Sequence, residues 1–543
     1  MKPLLVLGLR SLALLGFALT VSSSPGVQKV AATSDRIVVS GDSTPGPATL
    51  VEINPGSANA APGTSASVIQ IDRTNRFQLE FPRFEADRDR LYSGFALHRA
   101  ATNGNASLVG GVRFVEDMKD VSKSTEPFPN AASKKGLQVQ MVDDALALGI
   151  KHAAINVNLT QLPDLTARPS STQLKLDGES LHFSTSYLDH LDRQIKPLSD
   201  AGVVVSLILL TYESGDPALN KIMLHPRYDR GAPNHLGAFN TVTLEGVKWF
   251  KACIELIAER YSRPDRKHGS AVNFIVGNEV NSHWYWANMG PVSMEEFTRD
   301  YLTTVRLCHT AVRKFSVSAR VYVSLEHHWG IRYDRDPNRS FEGRRFIDHF
   351  AQAARASGDF DWHVAYHPYP ENLFDCRFWN DKSALQNPDT PRITFKNVEV
   401  LVDYFHRPEL LFRGQPRRII LSEQGFHSPL TPEGEALQAA AYCLAWNKVS
   451  RLDAIDSFIL HRHVDHGNEG GLNLGLWARN STSSNPAEPG RRKPIYEVFR
   501  AADTTDWEKA FRFALPIAGL QSWPTKLHSD RPPDKNDARP SKQ

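Results

Sequence analysis

From about residue 133 to residue 515, the hydrophobic pattern alternates between short apolar runs and longer segments with helical spacing. Apolar runs of strand length begin near residues 152, 203, 271, 320, 362, 418 and 456. Amphipathic segments such as Tyr187–Ser199 and Leu244–Tyr261 lie between them. Strands that are apolar throughout are typical of a parallel sheet covered on both faces by helices. The pattern predicts an α/β fold, a (β/α)8 (TIM) barrel, over residues 133–515.

One strand of this predicted barrel has no clear counterpart in the sequence. Leu137, Met141, Ala145 and Leu148 recur at helical spacing, and Gly149 ends this predicted helix, so the missing strand is expected before it. An open, doubly wound sheet is the alternative architecture. Such a sheet usually has a glycine-rich phosphate-binding turn after its first strand, and the sequence contains no GxGxxG, GKS or GKT motif.

Both ends of the chain differ in pattern from the predicted barrel. Residues 1–24 combine positive charge with a short apolar run and small residues, which predicts a signal peptide and a secreted or periplasmic protein. Residues 37–118 contain short β-rich runs between turn-forming clusters, which predicts a sandwich-like β region that packs on the barrel or binds carbohydrate. Residues 516–543 lose periodicity and are expected to form a disordered tail.

The composition is that of an ordinary globular protein. The chain has 543 residues, of which 41% are hydrophobic, and a net charge of +3. These values exclude a wholly disordered chain, and so small a net charge gives no overall attraction to nucleic acid or to a membrane surface. The four cysteines show no CxxC spacing and are expected to be buried core residues.

Acidic side chains follow two of the predicted strands. The run at 271–276 is followed by Asn278 and Glu279, and the run at 418–421 is followed by Glu423. In a parallel barrel the carboxyl ends of the strands meet at one mouth, so these groups are expected to converge there. Glycoside hydrolysis needs two such carboxyl groups, one protonated to release the leaving oxygen and one ionised to attack.

These motifs resemble clan A of the retaining glycoside hydrolases, whose barrels have an Asn-Glu pair ending strand four and a glutamate ending strand seven. If the run at 456 is strand eight, Glu279 and Glu423 fall on strands four and seven. The resemblance implies that Glu279 is the general acid/base, that Glu423 is the nucleophile, and that Asn278 hydrogen-bonds the sugar 2-hydroxyl. Val280 stands where many members of the clan have proline.

The strand-six pattern of the clan, His-x-Tyr, appears at His367 and Tyr369, and the resemblance implies that Tyr369 orients the nucleophile. Sugar rings pack their C–H faces on aromatic side chains, so aromatic residues near the motifs are candidates for substrate binding. The candidate substrate-binding residues are Asn278, His367, Tyr369, Trp284, Trp286, Trp329, His461 and Trp477. The chain as a whole resembles an uncharacterised family of secreted bacterial barrels.

Two other functions are open at this stage. Histidines near the strand ends, including His327, His328 and His461, are compatible with a metal-dependent barrel hydrolase. The first strand placed offers Asn156 and Asn158 instead of the early His-x-His such enzymes usually need. A barrel that binds glycans without catalysis is the other alternative, and Glu326 is a spare carboxylate.

We therefore expect a secreted retaining glycosidase that hydrolyses O-glycosidic bonds of a poly- or oligosaccharide by double displacement. Neither a metal nor an organic cofactor is expected. Carbohydrate is the expected partner, with no nucleic acid and, after signal cleavage, no membrane.

Overall fold

A computed structural model describes residues 25–56, 66–71, 75–100 and 106–524. The predicted signal peptide at 1–24 lies outside the described residues, as does the part of the predicted tail beyond residue 524.

Eight parallel strands close into a barrel. In chain order they are β1 (Lys135–Gln138), β2 (His152–Asn158), β3 (Val204–Leu210), β4 (Asn273–Val276), β5 (Arg320–Glu326), β6 (Trp362–His367), β7 (Ile419–Leu421) and β8 (Ile455–Leu460). Each strand pairs with its sequence neighbour, and β1 pairs with β8, where Lys135 lies opposite Phe458 and Leu137 opposite Leu460. The predicted (β/α)8 fold is confirmed.

A helix follows each strand and covers the outside of the barrel. These are α1 (Val142–Ala147), α2 (Thr185–Asp200), α3 (Leu244–Tyr261), α4 (Met294–Phe315), α5 (Gly343–Ala356), α6 (Glu399–Tyr404), α7 (Pro432–Val449) and α8 (Pro494–Ala501). Several begin at a Ser or Thr whose hydroxyl accepts a backbone N–H of the first turn, as Thr243 does for α3. At α4, Ser293 and Glu296 form a complete capping box.

The strand that the sequence left unplaced is β1, and it includes Leu137, which the helical spacing assigned to a helix. Helix α1 begins only at Val142. The strand is four residues long, and Leu137 is its only large apolar side chain. At Gly136 an added Cβ would lie 2.8 Å from Ile459, so β1 needs a residue without a side chain. A strand this short and this polar has no apolar run to reveal it.

In the part of the chain that the structure describes, the N-terminal β region contains two four-stranded sheets and a short two-stranded one. Of the four-stranded sheets, one contains Gly26–Ala32, Arg36–Asp42, Arg76–Pro82 and Asp117–Met118, and the other contains Gly46–Ile53, Ala66–Ile71, Gly94–Ala100 and Ala106–Phe114. Val30 and Ile37 of the first sheet share an apolar cluster with Leu50 and Phe95 of the second. The region is therefore sandwich-like, as predicted, but it begins at Gly26 rather than near residue 37.

This β region packs on the outer helices of the barrel. The Tyr92 hydroxyl donates to Glu255 of α3 at 2.6 Å, and Lys314 of α4 lies 2.9 Å from the same carboxylate. The guanidinium of Arg306 lies over the Phe114 ring, 5.0 Å from its centroid. These contacts attach the sandwich to α3 and α4, on the side of the barrel.

The C-terminal segment stays packed beyond the predicted start of the tail at residue 516. A short helix covers Ala514–Ile517, and the Trp523 ring lies 5.8 Å from Trp507 and 6.1 Å from Phe511. Cys253, Cys308, Cys376 and Cys443 are all free thiols and buried. Within the described residues, no helix combines the length and apolar character needed to cross a membrane.

Candidate active site

Glu279 stands at the mouth of the barrel, three residues after β4 ends at Val276. The backbone turns here through Gly277, with φ of +76°, and Glu279 itself has φ of +42° and ψ of +49°. A left-handed conformation costs a residue other than glycine about 1–3 kcal/mol, so the surrounding structure must hold it in place. One such restraint is the Glu279 N–H, which donates to the Ser324 hydroxyl of β5 at 3.0 Å.

His367, the last residue of β6, connects Glu279 to the end of β7. Its Nδ1 lies 2.9 Å from Glu279 Oε1, and its Nε2 lies 3.0 Å from the hydroxyl of Ser422. The imidazole is buried, and both ring nitrogens are engaged. His367 therefore fixes the Glu279 carboxyl against the strand that carries the second glutamate.

Glu423 follows β7 and is half-buried. The hydroxyl of Tyr369 donates to Glu423 Oε1 at 3.2 Å, and the carbonyl oxygen of Tyr369 lies 3.1 Å from His327 Nδ1. A carboxylate oxygen of Glu279, one of Glu423 and a ring nitrogen of His367 all lie within 4.8 Å of one another. The two glutamates predicted from the sequence thus lie close together at the mouth of the barrel.

The environment of Glu279 favours its protonated form. Burial raises the pKa of Glu279, and the negative charges of Glu423 and Glu326 add to this effect, outweighing the hydrogen bond from His367. Burial alone would lower the pKa of His367, but the hydrogen bond to Glu279 and the charge of Glu423 outweigh it and raise that pKa. Burial and the charge of Glu423 raise the pKa of Tyr369 well above its usual value, so its phenol stays protonated and can donate.

Glu326, the spare carboxylate at the end of β5, lies in a different environment. It accepts hydrogen bonds from Asn281 at 2.6 Å, from Ser282 at 2.9 Å, and from the backbone N–H and Nδ1 of His328 at 2.8 and 2.6 Å. Burial opposes its ionisation, but the charge and hydrogen bonds of His328 outweigh this and lower the pKa of Glu326 to about 2. Because Asn281 and Ser282 directly follow the Glu279 turn, Glu326 anchors that turn.

Two groups of side chains in the described residues have the composition of a metal site. One is Glu279, His367 and Glu423, and the other is Glu326, His327 and His328. A carboxylate has about four lone-pair positions, and those of Glu326 already accept four hydrogen bonds, so this second group has no free carboxylate ligand. In the first group Glu423 has free positions, but His367 would have to give up a hydrogen bond to bind an ion.

Trp284 and Trp286, predicted to bind substrate, lie in the short helix His283–Trp286 after the Glu279 turn. Trp286 is half-buried and packs on the apolar cluster inside the barrel. Trp284 is buried, its indole N–H donates to Asp229 at 2.9 Å, and Arg339 lies over its ring at 4.2 Å. Of the two rings, Trp286 is the one placed at the barrel interior.

The prediction that Trp329 binds sugar is wrong. Its side chain is fully buried, its indole N–H donates to the carbonyl of Pro388 at 3.2 Å, and its ring packs edge-on against Tyr404 of α6. A ring enclosed on all sides by the chain has no face for a ligand. Trp329 therefore anchors the loop after β6 rather than lining the pocket.

Trp477 lies in the loop region after β8 and is half-buried. Its indole N–H donates to Asp144 of α1 at 3.0 Å, and the guanidinium of Arg492 lies 5.0 Å from its ring centroid. These contacts give Trp477 a packing role at the side of the rim, and its sugar-binding role stays a prediction.

His461 and Asn278 differ in how many of their side-chain hydrogen-bonding atoms are already occupied. His461 follows β8, hydrogen-bonds Gln138 of β1, and lies 3.2 Å from Glu469, and the peptide bond between His461 and Arg462 is cis. Asn278 is half-exposed at the mouth beside Glu279, and its side-chain amide hydrogen-bonds nothing within the described residues. Its free amide is suited to a polar ligand.

Sequence reasoning missed three residues near this site, two tyrosines and one glutamate. Tyr212, just after β3, packs on the same interior cluster as Trp286, and burial together with the charge of Glu423 raises its pKa. Glu469 hydrogen-bonds both His461 and Arg462. Tyr333, in the loop between β5 and α5, is 52% exposed. All three lie in loops without periodicity, so no pattern in the sequence marks them.

A polar groove extends from the mouth above β2 and β3, with a volume of about 700 Å³. Its walls include Asn158, Arg168, Tyr187, His190, Tyr212 and Glu213. Tyr212 lines this groove and also packs on the apolar cluster inside the barrel. Clefts of this size accommodate ligands larger than a single sugar ring.

Comparisons with known proteins give similarity at the level of fold. No curated protein matches the sequence. A family 39 glycoside hydrolase from the gut symbiont Bacteroides cellulosilyticus WH2 is similar over 89% of this chain and 80% of its own, with 12% identity and a TM-score of 0.44. A hyperthermophilic beta-glucosidase from Pyrococcus furiosus is similar over 69% of this chain and 86% of its own, with 15% identity and a TM-score of 0.42.

A beta-glucosidase from Thermotoga maritima, solved in complex with noeuromycin, is similar over 68% of this chain and 85% of its own, with 12% identity and a TM-score of 0.42. Residues 127–526, which include the whole barrel, match a protein family described as a family of unknown function, DUF5722. The match extends over more than half of the sequence, and the chain therefore belongs to the DUF5722 family.

Proposed function

We propose that this protein is a retaining glycoside hydrolase. The observation that carries the proposal is the pairing of Glu279 and Glu423, whose carboxylate oxygens lie within 4.8 Å across the mouth of the barrel. Retaining enzymes hold their two carboxyl groups about 5–5.5 Å apart, whereas inverting enzymes need about 6.5–9.5 Å to admit a water molecule. The short separation favours direct attack by a carboxylate over attack by an activated water.

The different environments of the two glutamates assign their roles. Glu279 is the buried group with the raised pKa, so it keeps its proton and serves as the general acid. Glu423 is more exposed and receives the Tyr369 hydroxyl, which holds one carboxylate oxygen and leaves the other free to attack. In the first step Glu423 forms a bond to the anomeric carbon while the glycosidic C–O bond breaks and Glu279 protonates the departing oxygen.

In the second step the same residues act in reverse. Glu279, now ionised, removes a proton from a water molecule, whose oxygen bonds to the anomeric carbon. The bond between that carbon and Glu423 breaks, which releases the sugar with its original anomeric configuration. His367 donates to Glu279 and stabilises the carboxylate that exists between the steps. Asn278, with its free amide beside Glu279, is suited to hydrogen-bond the sugar 2-hydroxyl.

Several features support a poly- or oligosaccharide as the substrate. The groove above β2 and β3 offers room next to the pocket, and its walls combine aromatic rings with polar groups. Carbohydrate binding uses this combination, because a sugar ring presents both C–H faces and hydroxyl groups. The signal-like segment at 1–24 supports a secreted or periplasmic location, where such polymers are met.

The test is a screen of the purified protein on a panel of polysaccharides and glycosyl fluorides, with NMR of the first anomer released. We expect retention, and we expect Glu279→Gln and Glu423→Gln each to lower turnover of the polysaccharide by at least about a thousandfold while the thermal unfolding transition remains cooperative. Glu409→Gln, an exposed glutamate on the far side of the barrel, is the matched control. Wild-type rates in either pocket variant would contradict the proposal.

A metal-dependent hydrolase is the second candidate, because Glu279, His367 and Glu423 could together contact one ion. Activity that survives dialysis against a chelator supports the two-glutamate mechanism. Activity that is lost and returns on adding a divalent metal supports the metal mechanism instead. Glycan binding with no release of reducing ends by any preparation would identify a binding protein.

A further inference from the structure

Tyr333 is a large aromatic side chain exposed beside the pocket. It lies in the loop between β5 and α5, and 52% of its surface is accessible. Its ring stands edge-on to Tyr285, at 4.7 Å between centroids, and edge-on to His328, at 5.5 Å. Both neighbours pack against the ring at steep interplanar angles of 74° and 90°, and about half of the Tyr333 surface is left accessible.

The neighbours of Tyr333 are themselves fixed. The Tyr285 hydroxyl donates to Asp334 at 2.6 Å, and His328 is hydrogen-bonded to the buried Glu326 at 2.6 Å. The ring is therefore held in one orientation before any ligand arrives, which reduces the entropy lost on binding. Isolated exposed apolar side chains are common, and Tyr333 differs from an isolated one in packing against two fixed neighbours.

The position of Tyr333 relative to Glu279 identifies the part of the substrate that it faces. Glu326, which holds His328 below Tyr333, also holds Asn281 and Ser282 of the turn that presents Glu279. Burial of the Tyr333 phenol raises its pKa, and the charges of Glu279 and Glu326 add to this effect. Glu279 protonates the leaving oxygen, so the leaving group lies on this side of the pocket.

We propose that Tyr333 forms the platform of a binding site for the leaving group, and that this group is a sugar ring. This inference rests on the proposed function. A pyranose has one face rich in C–H groups, and packing that face on the Tyr333 ring buries apolar area without requiring a new side-chain orientation. The substrate is then a molecule in which one sugar is linked to another, rather than a sugar linked to a small alcohol.

The test compares two substrates of the same glycosyl group. The first is a disaccharide, whose leaving group is a sugar ring, and the second is the corresponding glycosyl fluoride, whose leaving group has no ring to stack. In Tyr333→Ala, we expect the ratio of kcat/KM for the disaccharide to kcat/KM for the fluoride to fall by about tenfold. Tyr333→Phe retains the ring and should keep the ratio within about twofold of wild type.

Phe84→Ala is the matched control, since Phe84 is an aromatic residue of the N-terminal β region with 49% exposure, and it should change neither rate. A second measurement does not depend on turnover. The Glu279→Gln/Glu423→Gln protein is titrated with cello-, xylo-, manno- and chito-oligosaccharides, with and without Tyr333→Ala. We expect Tyr333→Ala to weaken the tightest of these interactions by about tenfold.

The outcomes separate the two proposals. Equal losses on disaccharide and fluoride would overturn the leaving-group site while leaving the glycosidase intact. In another outcome, the wild type hydrolyses no substrate and yet binds oligosaccharides, and Tyr333→Ala weakens that binding. This result would refute the hydrolase and would retain the contact between Tyr333 and a sugar. If no oligosaccharide binds, or if Tyr333→Ala leaves the affinity unchanged, the Tyr333 site is refuted as well.

Discussion

Both ends of the barrel bury ionisable side chains, but the lower end pairs its carboxylates with arginines, whereas the mouth also brings the carboxyls of Glu279 and Glu423 close together. At the amino ends of the strands, Arg417 contacts Asp359 at 2.8 Å, and Arg320 and Arg418 both contact Asp456. At the carboxyl ends, four glutamates stand around one opening, at 279, 326, 423 and 469.

The difference shows which end is built for stability. A buried charge with a partner can be retained at modest cost, whereas the neighbouring charges of Glu423 and Glu326 add to burial in raising the pKa of Glu279. At the mouth, two of the carboxyls, Glu279 and Glu423, are placed to perform acid/base and nucleophilic chemistry. Substitutions at the two ends should therefore have separable effects, on folding below and on turnover above.

The largest expected effect is at the lower end. Arg417 is fully buried, donates to the carbonyls of Leu410, Phe360 and Trp362, and pairs with Asp359. Arg417→Met leaves that carboxylate unpaired and should lower the free energy of unfolding by about 3–5 kcal/mol. Urea unfolding measures this change.

In the same variant, kcat per folded molecule should match wild type at low temperature, because Arg417 lies far from the mouth. Arg263→Met, at a partly exposed arginine paired with Asp265, is the matched control and should unfold at nearly the wild-type urea concentration. A loss of kcat in Arg417→Met without a loss of stability would break the proposed division between the two ends.

At the mouth, Tyr369→Phe should affect turnover more than folding. The variant removes the only hydroxyl that hydrogen-bonds Glu423 within the described residues, so the nucleophile loses its orientation. We expect kcat/KM to fall about tenfold to a hundredfold, while the free energy of unfolding changes by less than about 1.5 kcal/mol. Steady-state kinetics and urea unfolding on the same preparation check both numbers. The reverse pattern would make Tyr369 a packing residue.

The smallest expected effect is a shift in pH dependence. The general acid must be protonated, so activity should fall as pH rises through the pKa of Glu279. The charge of Glu326 helps to raise that pKa, so Glu326→Gln should lower it and move the alkaline fall of kcat/KM to lower pH, by up to about one unit. Glu409→Gln should leave the profile in place. An unmoved alkaline limb in Glu326→Gln would mean that Glu326 only anchors the turn.

Glu326→Gln should also change how the free energy of unfolding depends on pH. The folded-state pKa of Glu326 is depressed to about 2, below its unfolded value, so ionised Glu326 stabilises the fold above the unfolded pKa. That contribution is lost as pH falls toward 2. Glu326→Gln should therefore reduce stability at neutral pH and have progressively less effect in acid.

The barrel was predictable because most of its strands are covered on both faces. Val204–Leu210 is buried at every position, and such a strand appears in the sequence as a continuous apolar run. The same periodicity placed Glu279 and Glu423 at strand ends and so at one mouth. Strand β1 escaped prediction because it is short and contains only one large apolar residue, Leu137.

Side-chain exposure in the loops was much less predictable. Trp329 and Tyr333 are four residues apart in one loop, yet the first is fully buried and the second is half-exposed. The difference arises from the loop after β6, where Pro388 accepts the Trp329 indole N–H, and nothing in the local sequence indicates that contact. The roles of Asn278 and of the remaining pocket residues stay predictions.

The joint between β1 and β8 has a consequence for when the protein can become active. His461, beyond β8, reaches Gln138 of β1, so one wall of the pocket unites segments from opposite ends of the barrel sequence. The barrel therefore cannot close until the chain has been synthesised beyond residue 461. We expect every chain that stops before residue 461 to be inert, because this wall of the pocket would be missing.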